Sequence, residues 1–251
     1  MTEDAITSDP LPPGKIDIHS HLLPGIDDGC RDLDDSVACV ERLIAQGYVG
    51  TICTPHFWSA QFPLITPESF RDLTESLQIH LNARGLDYRL WPGGEVRLHK
   101  NFVSEMKRRE LPTLAGSRCL LVDFWGDKWE KWVTPTFEKL LSEGYQPILA
   151  HPERLRCTME VGKCLDELTN MGVWLQGNFR CMTGEEGSQA DALVRQFLRE
   201  GRYQFMALDM HQPETLQGRL DGAEFVLAEF GSDTLERLTA TAPRQKILRV
   251  T

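Results

Sequence analysis

Seven short apolar runs, at 15–21, 50–56, 88–95, 119–124, 146–151, 172–178 and 203–209, alternate with stretches of helical hydrophobic spacing. Nearly every run closes on a polar or cation-binding residue: His21, His56, Glu95, Asp123, His151, Asn178 and Asp209. Strands that alternate with helices build a parallel sheet, because each crossover returns the chain in the same direction. A doubly wound sheet brings together only the residues near its switch point. In a closed barrel all C-terminal strand ends surround one mouth. Ligand-type residues at the end of every run therefore predict an α/β fold, a distorted (β/α)7 TIM-like barrel, over a doubly wound sheet.

The intervening helices are legible from spacing and end signals. Leu33, Val37, Val40, Leu43 and Ile44 form a helical stripe that stops at Gly47. Thr66-Pro67-Glu68 combines an N-cap, a first-turn proline and an acid matched to the helix dipole. Thr134-Pro135 predicts another start, and helical stretches are expected near 158–170, 188–200, 221–230 and 233–241. Residues 1–14, with Ser8-Asp9-Pro10 and Pro12-Pro13-Gly14, read as a flexible leader. Residues 15–251 read as one domain, since no repeat or linker divides them.

Five of the seven histidines lie at or near these strand ends. The motifs are His19-Ser20-His21 with Asp27-Asp28-Gly29 behind it, Thr54-Pro55-His56, His151-Pro152-Glu153-Arg154 and Asp209-Met210-His211. Residues two apart on a strand share a face, so His19 can act with His21, and Asp209 with His211, on one cation. Imidazoles and carboxylates without thiolates suit Mn2+, Fe2+, Mg2+ or Zn2+. His80, in a polar helix, and His99, beyond Glu95, read as solvated. Trp125, Trp129 and Trp132 read as core and helix packing, with an aromatic rim for a substrate ring as the competing reading.

Charge and cysteine usage exclude other classes. The net charge is −10, which opposes coating a nucleic acid. The seven cysteines include no Cys-x-x-Cys pair and read as reduced thiols. None has arginine six positions on, so the loop used by cysteine-dependent tyrosine phosphatases is missing. The acidic N-terminus lacks an apolar core and no run approaches ~20 apolar residues, which predicts a cytoplasmic protein without membrane insertion.

The run Ile16-Asp17-Ile18-His19-Ser20-His21-Leu22-Leu23-Pro24-Gly25-Ile26-Asp27-Asp28-Gly29 resembles the opening of a known bacterial family. These are the manganese-dependent protein-tyrosine phosphatases of the polymerase and histidinol phosphatase (PHP) superfamily, associated with capsule and exopolysaccharide regulation. The resemblance continues through Gly93-Gly94-Glu95-Val96-Arg97, Ala150 to Arg154 and Ala207 to His211, in order over roughly residues 15–230. It implies a PHP-type barrel holding up to three ions, Mn2+ foremost. His19, His21, Glu95 and Asp209 would hold one ion. Glu95 would bridge to a second, shared with Asp123 and His151, while Asp28, His56 and His211 would hold the third. Arg154 and Arg219 match the family's phosphate-clamping arginines. The implied substrate is a phosphotyrosine protein, in particular a regulatory tyrosine kinase of polysaccharide synthesis; a PHP phosphoesterase acting on a small monoester such as histidinol phosphate is the alternative. Asp123 stands where the family usually has Glu, and Leu208 where it usually has Ser, so one ligand arm is a methylene shorter.

Overall fold

A computed structural model describes residues 11–57, 66–126, 128–155 and 161–250. Among these residues nine strands, all parallel where they pair, form two sheets. The chain runs β1 (Lys15–Ser20), α1 (Leu33–Ala45), β2 (Tyr48–Cys53), β3 (His56–Phe57), α2 (Pro67–Ala83), β4 (Arg89–Pro92), β5 (Glu95–Arg97), α3 (Phe102–Met106) and β6 (Cys119–Asp123). It continues with α4 (Val133–Ser142), β7 (Gln146–Ala150), α5 (Val161–Asn170), β8 (Trp174–Asn178), α6 (Ser188–Arg199), β9 (Phe205–Ala207), α7 (Pro213–Phe230) and α8 (Ser232–Glu236), followed by wide helical turns to Leu248. One sheet has the order β1-β2-β4 and the other β3-β5-β6-β7-β8-β9.

Two of the seven expected strands are broken. The 50–56 run stops at Thr54-Pro55, where proline has no N–H to donate. Its carbonyl instead accepts from the Glu95 amide (3.0 Å). The 88–95 run breaks at Gly93-Gly94, so Glu95 opens a strand and does not close one. A Cβ on Gly94 would sit 2.6 Å from Pro112 Cγ, which is why glycine stands there. β2 and β3 are thus successive halves of one strand, β4 and β5 of the next, and their pairings carry one sheet into the other. At the opposite edge Ser20 bridges Met210, and the His21 amide donates to the Met210 carbonyl at 2.7 Å.

The other differences lie at element ends. Thr66 caps α2 as expected, accepting from the Ser69 amide. The helix expected at Thr134-Pro135 begins earlier, at Val133, and the Thr134 hydroxyl accepts from Trp129 Nε1. The helix expected at 221–230 starts at Pro213, because the polar first turn hides its periodicity. The last strand ends at Ala207, before Asp209. Residues 1–10 of the expected leader and 158–160 of the expected helix lie outside the described residues. Arg244 hydrogen-bonds the Leu11 and Gly14 carbonyls, tying residues 11–14 to the domain. Among the described residues no helix is long and apolar enough to cross a membrane.

Alternation along the strands separates two apolar layers. Ile16, Ile18, Leu121, Ile148, Ala150, Phe205 and Ala207 meet in one cluster between the strands, closed below by Ala242 and Ile247. Leu120, Val122, Leu149, Leu175 and Met206 face the other way, toward the helices. Following the inner face toward the strand ends replaces apolar groups with polar ones. Glu95 registers beside Leu121, Asp123 lies two residues beyond it, and Gln176 registers beside Ala150 and Phe205. The inner layer is therefore greasy at one end and ionisable at the other.

Candidate metal centre

Backbone irregularities bring the histidines onto that inner face. β1 shifts register between Asp17 and Ser20, so the alternation that turns Ile16 and Ile18 inward passes to His19 and His21. At His151 a left-handed backbone (φ 34°, ψ 54°) interrupts the alternation after Ala150, and the ring comes to 3.1 Å from Glu95 Oε1. Asp209 is also left-handed (φ 49°). Such backbone strain at non-glycine residues collects where side-chain placement matters more than local stability.

All nine side chains read as donors fall into four overlapping groups: His21, Asp28, His56 and His211; His19, His21 and Glu95; His19, His151 and Asp209; Glu95, Asp123 and His151. His19 Nε2 lies 3.4 Å from Glu95 Oε1 and 3.3 Å from Asp209 Oδ1. His21 Nε2 lies 3.6 Å from Glu95 Oε2 and 3.4 Å from Asp209 Oδ1. Asp28 Oδ1 stands 3.4 Å from His56 Nε2 and 3.5 Å from His211 Nε2. Two ligands each ~2.1 Å from one ion at near-tetrahedral or octahedral angles stand about 3.0–3.5 Å apart. Asp123 is the loosest member, 3.9 Å from His151 Nδ1.

Orienting groups behind the donors make the stronger chemical case for a cation. Gln176 Nε2 donates to Gly177 O and Asn178 Oδ1, so its Oε1 must accept from His19 Nδ1 (2.9 Å). Asp27 Oδ2 accepts from His21 Nδ1 at 2.6 Å. Both rings are thereby held as Nδ1–H tautomers with the Nε2 lone pair turned to the centre. The two Nε2 atoms are buried and make no hydrogen bond. Buried polar atoms without partners are costly, and a cation satisfies this pair. Asp27 also accepts from the Gly29 and His56 amides, which folds the 27–29 turn under His21. A Cβ at Gly29 would lie 2.1 Å from the His21 carbonyl.

Electrostatics favours positive charge at the cluster. Burial opposes a charged His56, yet Asp28 and Glu95 outweigh it and push the imidazole up to about 9. Burial likewise opposes charge on His21, but Asp27, Asp209 and Glu95 raise it well above an ordinary histidine. Burial raises the Asp123 carboxyl, and the Glu95 charge beside it adds to the rise. Carboxylates that hold protons on imidazoles in this way attract any competing cation.

The arginines diverge. Arg154 stands at the mouth, 39% exposed at its side chain, 3.2 Å from Asp209 Oδ2 and 3.6 Å from Glu186 Oε2. Arg219 is buried at 3% exposure and donates to the Asp209 and Thr215 carbonyls (2.8 and 2.9 Å). Its other terminal nitrogen lies 3.4 Å from His211 Nδ1, so Arg219 braces the Asp209–His211 turn from beneath, where a phosphate contact was expected. Arg180, unremarked in the sequence, does reach the mouth and shares Glu186 with Arg154 (3.3 Å). Sequence reasoning also missed the orienting chain of Gln176, Asn178 and Glu153. Glu153 accepts from the Asn178 amide and the Tyr203 hydroxyl, and Asn178 donates to Asp209. Polar residues two apart on an otherwise apolar strand, Gln176 and Asn178, were the available signal.

Neither His80, which accepts from Arg84, nor His99, near Glu105, joins the groups. Trp129 and Trp132 pack on Phe124, whereas Trp125 is 51% exposed and meets His56 edge-on. Cys30, Cys39, Cys53, Cys119 and Cys181 are free and buried, and burial pushes the Cys53 and Cys181 thiols up, away from nucleophilic thiolate.

Residues 15–249 match the family model described as capsular polysaccharide synthesis, CpsB/CapC. The chain belongs to this family. It is 30% identical over 228 residues to the tyrosine-protein phosphatase YwqE of Bacillus subtilis, covering 90% of this chain and 89% of that one. It is 26% identical to tyrosine-protein phosphatase CpsB of Streptococcus agalactiae over 230 residues, 89% of this chain and 94% of the relative. Among solved structures, one from the work on YwqE of Bacillus subtilis and CpsB of Streptococcus pneumoniae, described as unique metal-dependent tyrosine phosphatases, superposes with a TM-score of 0.84. It shares 28% identity and covers 94% of this chain and 95% of that one. A phosphotriesterase homology protein of Escherichia coli shares the fold alone, at a TM-score of 0.59 and 9% identity.

Proposed function

We propose that this chain is a metal-dependent protein-tyrosine phosphatase whose two sheets form one distorted (β/α)7 barrel of the PHP type, with residues 15–251 as a single catalytic domain. The observation that carries the reading is the pair of buried, unpartnered His19 and His21 Nε2 atoms facing Glu95 and Asp209. Family membership points to phosphotyrosine in a protein, with a regulatory kinase of polysaccharide synthesis as the physiological substrate. The assignment by ion is the one the family likeness implies: His19, His21, Glu95 and Asp209; Glu95, Asp123 and His151; Asp28, His56 and His211. Mixed imidazole and carboxylate ligation without thiolates suits Mn2+, with Fe2+, Zn2+ and Mg2+ as competitors.

When bound, divalent cations there would acidify water at neutral pH and offset phosphate charge. The chain's own groups do the rest. Gln176 and Asp27 keep the His19 and His21 protons on Nδ1. His211 Nδ1 is held against the Asp209 carbonyl at 2.9 Å, which turns its Nε2 toward Asp28. Arg154, anchored by Asp209 yet open to the mouth, donates to the phosphate oxygens that gain charge during transfer. A tyrosyl phenolate, with a pKa of ~10, leaves with little protonation. Glu186 holds Arg154 and Arg180 until phosphate arrives.

The test is hydrolysis of phosphotyrosine after exhaustive chelation and, separately, after iodoacetamide. Activity is expected to vanish in chelator, return on adding Mn2+ and survive alkylation. Full activity in metal-free protein would overturn the reading.

A further inference from the structure

β6 leaves the sheet at Asp123 and continues as Phe124, Trp125 and Gly126, beside the segment 97–100 that follows Glu95. Arg97 registers directly with Asp123, so this edge of the mouth adjoins the candidate metal centre. Here lies a cavity of about 550 Å3, with Arg97, His99, Lys100, Arg109, Trp125 and Glu130 on its walls. Trp125 is the wall shared with the cluster. Its ring meets His56 edge-on at 6.2 Å and 88°, while the Arg97 guanidinium lies 4.4 Å over its face.

The charge in the cavity is unlike that of the chain. The protein carries −10 overall, yet Arg97, Lys100 and Arg109 converge on one cavity and form no ion pair among the described residues. Two acids also line the cavity: Glu105 stands 3.6 Å from His99, and Glu130 accepts from Trp132 Nε1 at 2.9 Å. Three cations against two acids leave this lining net positive beside an exposed tryptophan. Arginine forks match carboxylates in a planar, two-point contact. An extended peptide advances ~3.3–3.6 Å per residue, so residues one or two places from a tyrosine pass Trp125 on leaving the cluster.

We propose that this cavity is a specificity subsite that receives acidic side chains flanking the phosphotyrosine. The proposal rests on the phosphatase reading above. Arg97, Lys100 and Arg109 provide the attraction, and Trp125 separates the phosphate end of the substrate from its peptide end. It makes the enzyme selective for phosphotyrosines in acidic surroundings, a property that the metal centre by itself cannot confer because every phosphotyrosine presents it with the same group.

Three phosphotyrosine peptides that differ only in flanking Glu, Ala or Lys residues test this. Two quantities are measured for each: kcat/KM with the metal-loaded enzyme, and affinity for the metal-free protein by fluorescence anisotropy of labelled peptide. Both should favour the Glu peptide over the Lys peptide by about tenfold at low salt, shrinking as NaCl screens the charges. In the variant carrying Lys100→Glu and Arg109→Glu the preference should disappear or invert. Each preference is a ratio within one protein sample, so partial misfolding cancels. Equal values for all three peptides, or an unchanged preference in the charge-reversed variant, overturns the subsite. If the wild type hydrolyses none of the peptides, the phosphatase reading falls and the anisotropy ratio alone decides the subsite.

Discussion

Replacing Asp27 by Asn removes one oxygen and one charge from the group that orients a proposed ligand, without changing its size. The carboxylate accepts three N–H bonds: from His21 Nδ1 (2.6 Å) and the His56 amide (3.1 Å) at Oδ2, and from the Gly29 amide (2.9 Å) at Oδ1. An amide offers a single acceptor. If its NH2 takes the Oδ2 place it confronts two donors, and His21 escapes only by moving its proton to Nε2, the atom turned to the metal centre. If the NH2 takes the Oδ1 place it confronts the Gly29 amide alone, and His21 keeps a neutral acceptor in place of a charged one. The second arrangement costs less, about 1–3 kcal/mol for the unsatisfied pair, and roughly halves the charge-assisted bond to His21. Orienting partners of this kind are worth about 10–100-fold in metal affinity, or about 1.4–2.7 kcal/mol. Competition against a fluorescent chelator at fixed pH measures the affinity, and thermal unfolding of the metal-free protein measures the fold. Asp27→Asn is expected to weaken Mn2+ binding by about 10–100-fold and to lower the metal-free Tm by several degrees. An affinity within twofold of wild type would refute the view that Asp27 sets the His21 tautomer for metal.

Two further contrasts follow from the same geometry. Arg154→Ala should cut kcat/KM by about 10² or more with metal content unchanged, whereas Arg219→Met should lower Tm and metal affinity through loss of two backbone contacts; parallel steady-state kinetics and melting curves separate the two. Asp123→Ala should lose one equivalent of metal after matched dialysis while Asp123→Glu holds it, as read by elemental analysis; full metal and full activity in Asp123→Ala would reduce Asp123 to a buried strand-end acid.

The candidate donors were legible because their signal is local. Strand alternation and helical spacing extend over a few residues, and a histidine or carboxylate after an apolar run is visible without knowing what it meets. Hence His19, His21, Asp28, His56, Glu95, Asp123, His151, Asp209 and His211 could all be named in advance, and the structure brings them together. Family motifs, likewise contiguous, pointed to the same neighbourhood. What spacing could not reveal are the deviations from regularity that aim these groups. The Gly94 break answers Pro112, which presses on that backbone, and the register shift in β1 and the left-handed turn at His151 leave no mark in the spacing.

Partners distant in sequence were equally hidden. His19 is oriented by Gln176, 157 residues away, and the Asp17 carboxylate caps the Leu208 amide across 191. The two arginines were indistinguishable as letters; Arg219 is buried against the Asp209 and Thr215 carbonyls, whereas Arg154 is partly exposed beside Asp209. The sequence by itself determined which chemistry the strand ends carry, since donor type and alternation are properties of neighbouring residues. Only the tertiary structure decided which candidate donors lie within reach of one cation, which groups hold their protons, and where Arg97, Lys100 and Arg109 line one cavity with Trp125, since each is a distance between segments that chain closure alone sets.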